Sequence, residues 1–444
     1  MENKHEAVVM KLKVVIMAGG KGTRISSINE SVPKPLIDIC GKPLLERQID
    51  WLKKEGVKEV TLVVGHLGNI ICKYFGNGKS FGISIKYVVE EDPLGTAGAL
   101  FYFRKSNKPI LLINGDIMVD LDLKKLIKYH RDKNSDITLV THPNNHPYDS
   151  ALIETNDDSR IIGWLNKEDS RCDYKNRVNA GIHIIEPKTL RIMGDMDRPK
   201  KMDLDREFLK PNICNFKIFA YDTPEYIKDM GTPSRYKAVC DDYDMNLIAI
   251  KNLENNQKAI FLDRDGTINK HKEFITKPDQ IELIEGSAEA IKKINEAGYL
   301  AVLITNQPVL ARGECSIEQL GDIHKRLERL LGENGAYLDD ILFCPHHPDK
   351  GFDGERLEYK IECTCRKPKP GLIYEAAKKY NIDLAKSFMI GDSFTDLVAG
   401  ESAGCKTGFI YSTYKKESEL IKADFKGENL KEIIDKILVK FKGE

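Results

Sequence analysis

At 444 residues the chain exceeds what one ordinary hydrophobic core organises, so two or more domains are expected. Apolar residues make up 41% and charged residues 31%, a soluble globular balance that excludes intrinsic disorder, and Lys+Arg and Asp+Glu stand at 68 each, so a formal net charge of zero argues against nucleic-acid binding by bulk electrostatics. No apolar run reaches membrane-spanning length, the N-terminal MENKHEAVVMKLKVV has no small-residue cleavage site, and the cytoplasmic location that follows makes the ten cysteines free thiols or metal ligands rather than disulfides.

In chain order, VVIMAGG, EVTLVVG (59–65), ISIKYVV (83–89), ILLINGD (110–116) and ITLVTH (137–142) read as mostly buried strands. Between the first two, PLLERQIDWLKKEG (43–56) places Leu44, Leu45, Ile49 and Leu52 on one helical face, with Gly56 as its stop. This strand–helix alternation predicts an α/β sheet with parallel strands. The helix-like YKAVCDDYDMNLIAI (236–250) closes the region, and the polar KNLENNQ (251–257) follows. The alternation then restarts with strands AIFLDRD, LAVLITNQ (300–307), DILFCPH (340–346), SFMIGDS (387–393) and TGFIYS (407–412). Helices SAEAIKKINEAG (287–298) and PGLIYEAAKKYN (370–381) lie between them. The expected division is an N-terminal extension 1–12, an α/β domain 13–245, a linker 246–257 and a second α/β domain 258–444.

The loop MAGGKGTR follows the first strand. Gly19, Gly20 and Gly22 allow backbone N–H groups to approach a triphosphate closely, in a pattern that is neither the Walker loop nor G-x-G-x-x-G. Arg24 ends the loop, and PKPLI (33–37) stiffens Lys34 between two prolines. A fixed Arg and Lys beside a polyphosphate suit phosphoryl-type transfer, where charge neutralisation dominates. With LGTAGAL (94–100), NGDI (114–117), NAGIHI (179–184) and DMGTP (229–233), the segment from Lys13 to Val239 resembles the sugar-1-phosphate nucleotidylyltransferases, which implies a Rossmann-like, GT-A-like mixed sheet. The resemblance implies that Gly19, Gly20, Thr23 and Arg24 bind the nucleotide phosphates, with Arg24 and Lys34 stabilising the transition state. It implies Gly95 and Thr96 along base and ribose, and Asp116 and Asp229 on Mg²⁺. It lines the sugar pocket with Asn179 and Gly181 and brings Lys167 to the sugar phosphate, although WLNKE stands where the family carries an EKP-like signature.

In IFLDRDGTIN (260–269), Asp263 and Asp265 leave an apolar strand two positions apart, and their repulsion calls for a cation. LITNQ, CRKPKPG and MIGDSFTD add Thr305, Lys367 and Asp392 at or after later strands, where parallel sheets place ligands. This set resembles the haloacid-dehalogenase-like phosphatases across 258–444. The resemblance implies Asp263 as nucleophile forming an aspartyl-phosphate, Asp265 as acid and then base, and Thr305 and Lys367 on the phosphoryl oxygens. It puts Asn306 at the substrate and Mg²⁺ on the Asp263 carboxylate, the Asp265 carbonyl and Asp392, with Asp396 behind them.

Cys344, His346, Cys363 and Cys365 supply three thiolates and an imidazole, a closed structural Zn²⁺ set around a polar loop, with His347 as the alternative imidazole. CPHHP with CTCRKP resembles the zinc-containing branch that includes the D-glycero-D-manno-heptose 1,7-bisphosphate 7-phosphatases and histidinol-phosphate phosphatases, and implies Arg366 in substrate recognition. Departures lie at HKEF (271–274) and at Pro308 in TNQPVLARG, outside the catalytic set.

Together the resemblances describe consecutive steps: removal of a 7-phosphate leaves the sugar 1-phosphate that a nucleotidylyltransferase requires. By that analogy the nucleotide is GTP and the product GDP-D-glycero-α-D-manno-heptose. The alternatives are a hexose-1-phosphate (for instance mannose-1-phosphate) nucleotidylyltransferase fused to a sugar- or histidinol-phosphate-type phosphatase, or one catalytically silent half. The partners expected are sugar phosphate and NTP, without nucleic acid or membrane, and with room for a homo-oligomer.

Overall fold

The run Ala259–Leu262 is apolar at every position because both of its faces are covered. In the computed structural model, which describes residues 12–20, 32–193, 198–351, 353–411 and 422–441, it is a central strand of a fully parallel sheet. The sheet order is Asp340–Cys344, Leu300–Asn306, Ala259–Leu262, Phe388–Gly391, Lys406–Ile410 and Phe425–Gly427. Successive side chains point to opposite faces of a strand, so Ile260 and Leu262 join one core and Ala259 and Phe261 the other. The first face is covered by helices Ser287–Glu296, Ile317–Glu333 and Leu430–Lys440, the second by Gly371–Tyr380 and Phe394–Ala403. Such two-sided burial explains the unbroken Val/Ile/Leu runs of these strands.

The chain order of this sheet has a consequence. From Ala259–Leu262 it moves outward through Leu300–Asn306 to Asp340–Cys344, then returns to Phe388–Gly391 on the other side. The carboxyl ends of Ala259–Leu262 and Phe388–Gly391 therefore flank a switch point, where open α/β sheets bind ligands.

The other sheet is mixed. Lys13–Met17 pairs in parallel with both Ile110–Asn114 and Glu59–Val64, and the latter in parallel with Ser84–Val89. The strand Val178–Ile185 runs antiparallel to Ile110–Asn114, with Ile182 opposite Ile113, so strand–helix alternation alone overstates the parallel content. A two-stranded antiparallel ribbon joins Ile117–Asp120 to Tyr226–Asp229. Helix Leu44–Lys54 buries Leu44, Leu45, Ile49 and Leu52 as its spacing requires. The segment read as one helix over 236–250 is instead Pro233–Asp244 and Leu247–Ile250, interrupted where Asn246 adopts φ 58°.

By contact the chain divides into two compact units. One gathers Met1–His142, Ile153–Leu165 and Asn179–Asn252; the other gathers Pro143–Leu152, Asn166–Val178 and Leu253–Glu444. Two segments inside the expected first domain thus cluster with the second half. In that second unit the buried Arg177 donates to the carbonyls of Leu338 (3.4 Å) and Asp339 (2.9 Å) and pairs with Glu328 at 3.2 Å. Among the described residues, no helix is long and apolar enough to cross a membrane.

Phe261→Ala should cost about 3–5 kcal/mol, the range for emptying a buried aromatic site, read as a lower urea midpoint for the second unit. A midpoint unchanged from wild type would contradict the two-sided core.

Candidate functional site

In the first unit the carboxyl ends of Lys13–Met17, Glu59–Val64 and Ile110–Asn114 lead into Ala18-Gly19-Gly20, Gly65 and Gly115-Asp116. The turn carrying Asp116 is held from three directions. Gly115 N–H donates to the Met17 carbonyl at 2.9 Å, and Met230 N–H donates to the Asp116 carbonyl at 2.9 Å. The buried Gln48 amide donates to the carbonyls of Asn114 (2.9 Å) and Ile117 (2.8 Å), one on each flank. Lys34, on the turn Lys34–Leu36, reaches the Asp116 carboxylate at 2.6 Å. Asp229 lies opposite Ile117 in the antiparallel ribbon, and both its oxygens accept from Arg235 at 3.0 Å. The two aspartates thus sit on adjoining positions, each facing a cation of the chain.

The motif LGTAGAL meets a segment that sequence reading did not single out. Gly95 has φ +73°, and a Cβ there would lie 2.6 Å from the Met202 carbonyl, so only glycine fits. Thr96 Oγ1 accepts from Leu204 N–H at 2.8 Å. On the same segment, Asp205 accepts from Asn179 Nδ2 at 2.9 Å, and Asn179 Oδ1 in turn accepts from Gly181 N–H at 3.1 Å. Burial pushes the Asp205 carboxyl up to about 6. Thus Gly95, Thr96 and Asn179 converge on residues 202–205, with Gly181 behind Asn179. The Glu90 carboxylate lies against Gly19 and Gly65, and burial raises its pKa. Lys167 is exposed. Thr23 and Arg24 lie outside the described residues.

In the second unit Asp263 follows Ala259–Leu262, Asp392 follows Phe388–Gly391, and Thr305 is the last residue but one of Leu300–Asn306. They line a cavity of about 250 Å³ together with Asn306, Arg366, Lys367 and Asp396. Lys367 is 4% exposed and bridges two carboxylates, Asp263 Oδ1 at 2.7 Å and Asp396 Oδ1 at 2.6 Å. Burial opposes its ammonium, but these two anions outweigh that and raise its pKa. Its Nζ also donates to the Ile304 carbonyl at 2.8 Å. Asn306 clamps the main chain of Lys367, donating to its carbonyl and accepting from its N–H, both at 3.0 Å. The Asn306 amide is therefore engaged with the chain itself.

Oxygens of Asp263, Asp392 and Asp396 lie within 4.8 Å of one another. Burial, with Asp396 adding repulsion, pushes Asp263 up to about 7 and Asp392 up to about 6. Three crowded carboxylates against one lysine suit a divalent cation. Asp396 Oδ2 accepts from Ser393 Oγ (2.7 Å) and N–H (3.1 Å), and its other oxygen faces Lys367, which leaves Asp392 and the Asp263 oxygen not paired with Lys367 to meet a cation. Gly266, at φ +81°, permits this crowding, since a Cβ there would lie 2.0 Å from Asp392 Oδ2. Asp265 lines the same cavity, but its carboxylate pairs with Arg264 at 2.8 Å, and despite burial its pKa is lowered, Arg264 being the main cause.

Cys344, His346, Cys363 and Cys365 form a second cluster. Their sulfur–sulfur separations are 3.6, 3.2 and 3.3 Å, and His346 Nδ1 lies 3.6 Å from Cys344 and 3.3 Å from Cys365. A tetrahedron with metal–sulfur bonds of about 2.3 Å has edges of about 3.8 Å, so the four atoms form a slightly contracted tetrahedral cage. His347 turns toward Asp349 instead. From Cys365 the chain passes directly to Arg366, which donates to the His346 carbonyl at 3.1 Å, and then to Lys367.

Residues 13–245 match the model of the nucleotidyl transferase family and residues 364–436 that of the HAD-hydrolase-like family. A D-glycero-beta-D-manno-heptose-1,7-bisphosphate 7-phosphatase of Pasteurella multocida (strain Pm70) is 43% identical over 164 residues, covering 37% of this chain and 86% of that protein. A mannose-1-phosphate guanylyltransferase of Mycobacterium tuberculosis is 29% identical over 231 residues, covering 51% of this chain and 63% of that protein. Among solved structures, HddC from Yersinia pseudotuberculosis aligns over 52% of this chain and 99% of its own, at 27% identity and a TM-score of 0.46.

Cation binding at Asp263 and Asp392 competes with protons. With folded pKa values of about 7 and 6, above the usual carboxylate range, the metal-free protein loses stability as pH rises through 4–7, because the unfolded chain releases those protons first. Mg²⁺ added to chelator-treated protein should therefore raise Tm more at pH 8 than at pH 5.5; an equal rise at both would contradict the site.

Proposed function

The chain belongs to the nucleotidyl transferase family through residues 13–245 and to the heptose-1,7-bisphosphate 7-phosphatases through its second half, and from this bifunctional character we propose that it carries out two consecutive steps toward a nucleotide-activated heptose. The second unit removes the 7-phosphate of D-glycero-D-manno-heptose 1,7-bisphosphate. The first transfers a nucleotidyl group, GMP from GTP, to the heptose 1-phosphate and releases pyrophosphate. The observation that carries the reading is the ion-paired Lys367 between Asp263 and Asp396 at the switch point, in a half 43% identical to a phosphatase of that substrate.

In the phosphatase unit, Asp263 attacks the 7-phosphorus. Lys367 neutralises the phosphoryl oxygens and keeps the nucleophile anionic, while Thr305 offers its hydroxyl to the same group. Asp265 transfers the protons, and Arg366 meets the distal part of the sugar phosphate. Mg²⁺ held by Asp263, Asp392 and the Asp265 carbonyl would screen the charge between nucleophile and dianion. In the transferase unit, an oxygen of the sugar 1-phosphate attacks the α-phosphorus of the triphosphate, and the bond to the β-phosphate oxygen breaks. Lys34 and Arg24 balance the charge that develops, the glycines at 19 and 20 admit the phosphates, and Asp116 and Asp229 would hold a second Mg²⁺. Asn179 and Gly181 border the sugar.

We assign structural Zn²⁺ to the four-residue clasp on its donor set and cage dimensions. A cytoplasmic setting, where thiols stay reduced, suits such a clasp. The relative at 29% identity is named for guanylyl transfer, which supports GTP, whereas the phosphatase relatives are named for the beta anomer.

Purified protein given Mg²⁺, GTP and each anomer of heptose 1,7-bisphosphate should release phosphate and pyrophosphate and form GDP-heptose, read by mass spectrometry. Phosphate without any nucleotide sugar would sink the coupled reading. Asp263→Asn should stop phosphate release yet leave transfer onto supplied heptose 1-phosphate; joint loss of both would argue against two separate sites. Metal analysis should find about one zinc per chain, as four-ligand closure requires, and fully folded, active protein without zinc would refute the clasp.

A further inference from the structure

Between the two aspartates of DRDGT stands an arginine that neither reaction uses. Arg264 is 1% exposed and is among the largest fully buried side chains of the described residues. A guanidinium without water destabilises the fold unless its charge is balanced and its donors satisfied. Here they are. Nε donates to Asp265 Oδ1 at 3.2 Å, and one terminal nitrogen donates to Asp265 Oδ2 at 2.8 Å and to Gln307 Oε1 at 3.0 Å. The other terminal nitrogen faces His324 Nε2 at 3.4 Å. Burial and Arg264 itself push His324 down to about 3, so that ring is neutral and able to accept.

The far side of the Asp265 carboxylate is held as firmly. Asn269 Nδ2 donates to Oδ1 at 2.9 Å, and Gln307 Nε2 approaches Oδ2 at 3.3 Å while donating to Thr305 Oγ1 at 2.9 Å. Each oxygen of Asp265 thus meets two donors, and Gln307 ties the group to the hydroxyl that faces the phosphoryl oxygens. An apolar side chain would close the strand end with less electrostatic cost, so the buried charge needs another reason.

We propose that Arg264 is the positioning residue of the phosphatase reaction: by gripping both oxygens of Asp265 from behind, it fixes the carboxyl in the one orientation that serves both proton transfers. The inference rests on the reading of Asp263 as nucleophile and Asp265 as proton carrier. In the first step an Asp263 oxygen bonds to phosphorus, the bond from phosphorus to the sugar oxygen breaks with its electron pair on that oxygen, and Asp265 hands that oxygen the proton it took from the attacking water of the preceding turnover. In the second, a water oxygen bonds to phosphorus, its proton passes to Asp265, and the phosphorus–Asp263 bond breaks to free phosphate. A carboxyl free to rotate would miss both transfers.

Two esters separate this role from simple support of the fold. The sugar ester needs a proton on its leaving oxygen, whereas 4-nitrophenolate leaves without one. With Mg²⁺ present, Arg264→Met in the full chain should slow phosphate release from heptose 1,7-bisphosphate about 100-fold, the low end of general acid–base contributions. The same variant with 4-nitrophenyl phosphate should give a first-turnover burst of nitrophenolate, one per chain, followed by slow turnover, because water activation is lost while attack by Asp263 is not. Arg264→Lys, which restores charge without the two-pronged grip, should behave like Arg264→Met. An equal loss with both esters, a missing burst, or full activity of Arg264→Met would overturn the proposal. Wild-type protein that forms no phosphoenzyme from either ester would instead bring down the phosphatase reading on which it rests.

Discussion

The second half of this chain is organised around one buried ammonium. Lys367 has almost no solvent of its own, so its charge exists only because Asp263 and Asp396 stand within 2.7 and 2.6 Å of it. Removing Lys367 would leave both carboxylates buried without their cation, a loss that typically costs about 3–5 kcal/mol. The surroundings follow from that demand. Asn306 fixes the main chain of Lys367 with both atoms of its amide, Ser393 fixes the second oxygen of Asp396, and the glycine of DGT lets Asp392 close in. The parallel sheet supplies the frame, because its order brings two strand ends and their aspartates to one point.

The first half reaches a similar end by other means. Its cation–carboxylate contact, Lys34 to Asp116, is partly open to water, so it is geometry rather than desolvation that defines it. That geometry comes from Gln48, a polar side chain buried inside a helix whose other inward positions are apolar. Two main-chain carbonyls, one on either flank of Asp116, would lose their donor without it. In both halves a neutral amide steadies the backbone beneath a charged pair.

Much of this was legible before any coordinates. The unbroken run of AIFL declares a strand covered on two faces, and the spacing of Leu44, Leu45, Ile49 and Leu52 declares one face of a helix. Carboxylates and cations at strand ends, and three cysteines with a histidine around a polar loop, also stand out by composition. What lay hidden were the neutral and second-rank groups. Asn306 reads as a ligand for substrate because nothing local says that its amide bonds across 61 residues to Lys367. The segment 202–205 carries no periodic signal, so its meeting with Gly95, Thr96 and Asn179 depends on tertiary folding alone. Two signals were there to be weighed: a glutamine on an apolar helical face, and an arginine placed between two aspartates at a buried strand end.

The clasp offers a last point. Its halves, Cys344 with His346 and Cys363 with Cys365, lie at the two feet of one long loop, and the second foot is two residues from Lys367. A metal held there would tie both feet of the loop to a fixed point just before that lysine. The loop between the feet could then lengthen or shorten without shifting Lys367.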